Sequence, residues 1–322
     1  MALGVSSGGT AAAARAAAFG LALALPRAAL AHPGRAPAPH DLWTAWCWEP
    51  VTVLGSLALL AWYAAGVRRL WARAGGGRVV SRARASAFAA GVAAVLLALV
   101  SPLDAAAEAL FSAHMVQHLV LITVAAPLLA LGEALLPLLW AFPAPTRRRI
   151  GRWWARAALL PAAAGALTAP AVVWVLHVGA LLVWHLPGPY DVALRRPAVH
   201  AAEHATFLAT GVLFWWAVLQ RTGRRRLGYG AAVLYVTAAS AVMGGLGAIL
   251  TFARRPWYQG HLATTAPWGL MPLADQQLAG LIMWVPAGVV YLGAALVMCR
   301  EWLRDDAATD AIELAAAGGR AA

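Results

Sequence analysis

The sequence predicts an all-α, polytopic transmembrane helical bundle of about seven spans, with its amino terminus outside and its carboxyl terminus cytoplasmic. Three observations predict it: an apolar composition, seven apolar runs of membrane length, and a one-sided distribution of arginine. The chain is 62% hydrophobic and 12% charged, with a mean hydropathy of +0.69, too apolar for an ordinary soluble globule. A net charge of +12 would by itself suit a nucleic-acid binder, so the position of the charge decides. Every basic residue is arginine, and the arginines gather in alternate loops.

A helix needs roughly 20 apolar residues to cross about 30 Å of hydrocarbon. Runs of that kind lie near 51–70, 85–102, 114–133, 170–186, 198–219, 230–252 and 276–299. The third has the least clear end, because 134–142 continues apolar after Gly132-Glu133. Pro127 and Pro286 fall inside spans and read as kinks, where neighbouring helices satisfy the freed carbonyls.

The arginines set the orientation. Arg68, Arg69, Arg73, Arg78, Arg82 and Arg84 follow the first span; Arg147, Arg148, Arg149, Arg152 and Arg156 fill the next alternate loop. Arg221, Arg224, Arg225 and Arg226 stand in the third, and Arg300, Arg304 and Arg320 in the tail. The opposite side has only Arg35, Arg195, Arg196, Arg254 and Arg255. The positive-inside rule makes the basic side cytoplasmic, where it also faces anionic lipid.

An exported amino terminus needs an export device. Residues 1–31 fit a signal peptide, with Arg15 before an apolar stretch and Ala29-Leu30-Ala31 as a small-residue cleavage pattern. The seven-span membrane domain is then 32–304, the cytoplasmic tail 305–322, and His32 the new amino terminus. Cys47 and Cys299 fall on opposite sides of the membrane, so no disulfide between them is expected. Tryptophans such as Trp43, Trp46, Trp48, Trp71, Trp184, Trp257 and Trp268 mark span ends, where amphipathic rings favour the interface.

With the threading fixed, the histidines collect at one side. His114 and His118 begin the third span, His185 ends the fourth, and His200 and His204 begin the fifth; His177 lies about 12 Å deeper than His185 at 1.5 Å per residue. Residues four apart share a helix face, so His114/His118 and His200/His204 can supply four imidazoles to one ion. An ionisable side chain at membrane depth is costly enough to read as functional. The auxiliary residues are Asp104, Glu203 and Asp275 as carboxylates, with Asp275 favoured as a helix cap, and Met115 as a thioether. Imidazole accepts zinc, copper, iron and nickel alike, and thioether sulfur tilts a site toward copper.

Two other chemistries fit short parts of this pattern. His200-Ala-Ala-Glu203-His204 has the H-x-x-E-H form of an inverted zinc-protease motif. Facing histidines such as His118 and His204, with His177 deeper, would also suit a bis-histidine haem cytochrome.

The order of motifs resembles one family. Ser101-Pro-Leu-Asp104 leading to His114-Met-Val-Gln-His118, then Ala-Ala-Pro-Leu-Leu-Ala-Leu-Gly, is similar to the CtaG family of multi-span cytochrome c oxidase assembly factors. So are Trp184-His-Leu-Pro-Gly-Pro-Tyr190, His200-Ala-Ala-Glu-His204, Phe214-Trp-Trp216 and Asp275-Gln-Gln-Leu-Ala-Gly-Leu-Ile-Met-Trp-Val-Pro286, so that the likeness covers nearly all of 40–300. The resemblance implies a non-enzymatic protein of the bacterial plasma membrane that serves maturation of a haem-copper oxidase's copper centre. It implies copper as the metal, oxidase subunits and exported copper chaperones as partners, and His114, His118, His185, His200 and His204 as the family's histidines.

Overall fold

A computed structural model describes residues 37–157, 159–219 and 227–318, with side chains from 306 onward and at 159–160 left aside. The signal-peptide stretch, His32, Arg35, Arg221, Arg224, Arg225, Arg226 and Arg320 therefore lie outside the described residues. Among the described residues the regular structure is helical: α1 (Pro50–Ala74), α2 (Arg82–Val100), α3 (Pro102–Ala109), α4 (Phe111–Leu131), α5 (Leu135–Trp140), α6 (Ala144–Arg156), α7 (Leu159–Leu167), α8 (Pro170–Trp184), α9 (Pro187–Arg195), α10 (Pro197–Leu219), α11 (Tyr229–Thr251) and α12 (Pro272–Gly318), with short 3-10 turns between some of them.

Six of these helices are long and apolar enough to cross a membrane: α1, α2, α4, α10, α11 and α12. The seventh crossing is not a single rod. α8 has only 15 residues, about 22 Å at the α-helical rise, which is short of a bilayer. It becomes a span only with α7, from which it is bent by 59°. The chain is thus a multi-pass membrane protein with six or seven spans. Large aliphatic side chains including Leu54, Val175, Leu234, Val289 and Leu296 point outward along the spans, a surface that lipid covers and water would penalise.

Local chemistry starts and stops these helices. Glu49 accepts hydrogen bonds from the amides of Val51 and Thr52 at 3.1 and 2.6 Å ahead of α1. Ser81 caps α2 and Ser101 caps α3, each accepting from a first-turn amide at 3.2 Å. The ambiguity after Gly132 resolves into a turn: Glu133 has φ of 44°, an αL conformation uncommon for a residue with Cβ, and pairs with Arg84 at 2.9 Å. The apolar residues that follow form α5, which folds back on α1 instead of lengthening α4.

α4 is the hub, packing against α2, α10 and α12. It is not a uniform α-helix. Residues Val120–Ala125 are π-helical, and Pro127 stands in the first turn of the α-helical segment that resumes after them. A proline has no N–H to donate, so carbonyls upstream lose a partner; the Trp215 indole of α10 donates to Ile122 O at 2.8 Å. What reads in the sequence as a kink at Pro127 is a π turn with a side-chain repair from the next helix. Pro286 sits within the continuous helix α12. Among the sixth-span glycines, Gly247 meets Gly280 of α12 so closely that a Cβ there would lie 2.7 Å from Gly280 O, whereas Gly245 faces open space.

Replacing Trp215 with phenylalanine should leave Ile122 O unpartnered in the bundle interior and cost about 1–3 kcal/mol. The check is a melting curve in detergent, which should shift to lower temperature, and an unchanged midpoint would contradict the assignment.

Candidate metal centre

α4 enters the bundle from the end opposite the arginine-rich loops, and α10 enters from that same end beside it. His114 is the fourth residue of α4 and His200 the fourth of α10, so each pair begins one turn in, about 5 Å from its helix start, and ends about 10 Å in. The spacing of four on each helix turns both rings of a pair to the same face. Because α4 and α10 pack together, the two faces meet.

The four rings form a near-rectangle. Centroids are 4.3 Å apart within each pair, His114–His118 and His200–His204. Across the pairs they are 5.3 Å apart, His114–His200 and His118–His204. Glu203 closes the group: its carboxylate oxygens lie 3.9 Å from His114 Nε2 and 3.7 Å from His118 Nε2. One nitrogen each from His114, His118 and His204 come within 4.8 Å of one another, as do atoms of His114, His200 and Glu203.

Burial gives this geometry its meaning. His114 and Glu203 are wholly buried, and His118 and His204 nearly so; His200 is partly exposed at the rim. Both ring nitrogens of His114 and His118, Nε2 of His200 and His204, and both oxygens of Glu203 are buried without a hydrogen-bond partner. Each such atom costs about 1–3 kcal/mol if nothing satisfies it. A cation shared among imidazoles and a carboxylate satisfies several at once, so the residues fit a metal ion of the N/O-binding class.

The remaining sequence candidates fall around this group. His185 is beside it, its ring 6.2 Å from that of His118, with Nδ1 2.6 Å from Leu181 O and Nε2 3.3 Å from Met115 Sδ. The structure thus places His185 and Met115 together, next to the four-ring group. His177 stands apart at mid-bundle, with Nδ1 3.1 Å from the Thr210 hydroxyl and its ring against Phe214. Phe207 forms the floor, 4.6 Å from His118.

The carboxylates act mechanically. Asp275 caps a helix, but not the one on which it stands: it accepts from the amides of Phe111 and Ser112 at 2.7 and 3.1 Å and from the Ser112 hydroxyl, at the start of α4. The next two residues continue the stitching, with Gln276 Oε1 accepting from Trp257 N at 2.7 Å and Gln277 Nε2 donating to Ala253 O at 3.0 Å. Asp104, in the first turn of α3, accepts from Gln117 Nε2 at 2.7 Å; Gln117 also donates to Ala98 O at 2.9 Å. Gln117, one residue from His118, is thereby fixed between α2 and α3.

A roof that the histidine pattern does not announce covers the group. The segment between α11 and α12 folds across this end, where Tyr258 donates to His185 O at 2.8 Å and Thr264 to Ala109 O at 2.6 Å. His261 Nε2 is 2.8 Å from the Tyr190 hydroxyl of α9, and the Tyr190 ring packs 5.1 Å from His114. Burial holds the His261 imidazole below its ordinary range. The histidine group therefore sits in a buried chamber beneath this segment, with the partly exposed His200 at its edge. The signal available in the sequence was the Trp184–Tyr190 motif and an isolated His261, neither of which says that they meet. Cys47 and Cys299 are both free.

The chain matches the cytochrome c oxidase caa3 assembly factor family, Caa3_CtaG, over residues 61–305. It belongs to that family. All of the histidine rectangle, Glu203, Asp275 and the roof fall within the matched residues. Among curated proteins it is similar to uncharacterized proteins of Mycobacterium bovis and Mycobacterium tuberculosis, each 26% identical over 267 residues, covering 82% of this chain and 40% of the relative. A protein of Mycobacterium leprae is 25% identical over 277 residues, covering 84% of this chain and 42% of its own length. The chain thus spans about two fifths of the curated relatives it matches. No solved structure matches it.

Asp275→Ala should strip three donors at the start of α4 of their acceptor, costing at least the 1.5–3 kcal/mol typical of one charged hydrogen bond. It should also loosen His114. The expected readout is a lower melting temperature together with reduced metal retention, and a variant that melts lower while holding metal as tightly as before would separate the cap from the chamber.

Proposed function

We propose that this CtaG-family protein is a cytochrome c oxidase assembly factor of the bacterial plasma membrane. It holds copper in the chamber formed by His114, His118, His200, His204 and Glu203, on the outward side, and passes it to an oxidase subunit during maturation of the copper centre. The observation that carries this reading is the meeting of two four-spaced histidine pairs around a buried carboxylate, with eight polar atoms left unpartnered. The arginine-poor end of the bundle holds this chamber, which supports the outward placement.

Copper here is cargo. His200 at the partly exposed rim is the first donor that an incoming ion meets; His114, His118, His204 and Glu203 then replace the carrier's ligands stepwise. His185 and Met115 add an imidazole and a thioether next to His118, a softer pair that favours Cu(I). Release reverses the exchange toward an oxidase subunit docked at the same end. Exported copper chaperones are the proposed donors and haem-copper oxidase subunits the recipients. No catalytic step is assigned.

Two other readings find less support. A zinc protease needs water and peptide at Glu203, which is wholly buried beneath the roof. A haem held by His118 and His204 needs a porphyrin plane between rings that already meet edge to face at 5.3 Å.

In cells grown in copper-poor medium, His118→Ala combined with His204→Ala should lower the copper content and activity of the oxidase to the level of a strain lacking the protein. Oxidase copper equal to wild type would end the proposal. Glu203→Gln should weaken copper binding by about 10- to 100-fold, the range seen when groups supporting a metal ligand set are altered, without abolishing it; complete indifference of the measured affinity would remove the carboxylate from the chamber.

A further inference from the structure

At the opposite, arginine-rich end, one group of guanidiniums is built into the fold. Gly66 of α1 approaches α5 so closely that a Cβ would lie 1.8 Å from Pro137 O. Arg69 and Arg73 follow at three and seven residues, on the same helix face, and so meet the end of α5 as well. Arg69 donates through Nη1 to Ala141 O and, at 3.4 Å, to Trp140 O. Arg73 stands 5.6 Å over the Trp140 ring, and Arg147 of α6 stands 4.0 Å over the same ring. Arg147 also donates to Phe142 O at 3.1 Å.

These three arginines line a cavity of about 290 Å³ together with Trp140, Phe142 and Pro143, and no acidic residue lines it. Among the described residues, no carboxylate lies within ion-pair distance of Arg69, Arg73 or Arg147. A guanidinium carries five N–H donors, so the carbonyl contacts and ring stacking use only part of what is present. Fixed arginines with spare donors and no counter-charge form a binding site for an oxyanion, which guanidinium recognises in a fork geometry.

Depth selects the oxyanion. α1 has 25 residues, about 37 Å of helix against about 30 Å of hydrocarbon, so its final turns emerge at headgroup level. α6 beside it alternates Arg148, Arg149 and Arg152 with Ile150, Trp153 and Trp154 and has no buried residue, the character of a basic helix lying in the membrane interface. We infer that Arg69, Arg73 and Arg147, around Trp140, bind the phosphate of an anionic phospholipid and so anchor the α1–α5–α6 corner to the leaflet. This site is remote from the histidine chamber and independent of its cargo.

The test is native mass spectrometry of the full-length protein with phosphatidylglycerol, phosphatidylcholine or inorganic phosphate added. Selective retention of phosphatidylglycerol is expected, and Arg69→Gln, Arg73→Gln and Arg147→Gln together should reduce it by tenfold or more. The charge-matched triple Arg148→Gln, Arg149→Gln and Arg152→Gln on exposed positions should reduce it far less. Arg73→Gln alone, which removes a ring contact and no carbonyl bond, should cost about fivefold, the usual effect of one basic residue near an anionic surface, and guards against misfolding of the triple. Equal loss in both triples would reduce the site to diffuse surface charge and overturn the inference. So would retention of inorganic phosphate without preference for phosphatidylglycerol, or no preference over phosphatidylcholine.

Discussion

Four imidazoles and a carboxylate meet in the bundle interior with most of their polar atoms lacking a hydrogen-bond partner, and the surrounding helices hold them there. A polar atom inside a bundle must be partnered or it costs stability. Here eight such atoms belong to the group that α4 and α10 bring together, and ligand atoms of His114, His118 and His204, and of His114, His200 and Glu203, come within 4.8 Å of one another. The arrangement persists because each helix is held independently: α4 by the Asp275 cap and by Trp215 at its π turn, α10 by its contacts with α4, α8 and α9.

The supports repeat one device. A polar side chain reaches from a neighbouring segment to satisfy backbone groups near a helix end. Asp275 does this for the start of α4, Gln117 for the end of α2, and Tyr258 for the end of α8. Each also ties the roof or its neighbours to the chamber. Glycines at Gly66, Gly247 and Gly280 let helices approach to distances a Cβ would forbid, which sets the frame around α4. The basic end is built with the same economy, since the contact at Gly66 that seats α5 also aligns Arg69 and Arg73.

Much of this was legible in the sequence, for identifiable reasons. Apolar runs of membrane length are a strong signal, and six of the seven expected spans correspond to single long helices. The four-spaced histidines could be set on one face without knowledge of the fold, because helical spacing alone dictates it. Less was legible where partners lie far apart in the chain. Asp275 caps a helix that begins 164 residues earlier, and nothing near Asp275 in the sequence identifies Phe111. The roof is similar: Tyr190 and His261 are 71 residues apart. Glu203 reads as a neighbour of His204, yet its carboxylate reaches His114 and His118 on another helix. The run at 170–186 corresponds to α8, but hydropathy does not register that α8 needs α7, across a 59° bend, to reach the length of a span.

The proposed function requires that a single ion be gripped by imidazoles from both α4 and α10. X-ray absorption of the purified protein loaded with one equivalent of copper measures that ligand set directly. Nitrogen and oxygen neighbours at about 2 Å, the distance usual for imidazole on such metals, are expected, with the outer scattering of three or more imidazoles, falling to two or fewer when His200 and His204 are both replaced by alanine. A shell dominated by sulfur, or an imidazole count that does not change when the α10 pair is removed, would contradict it.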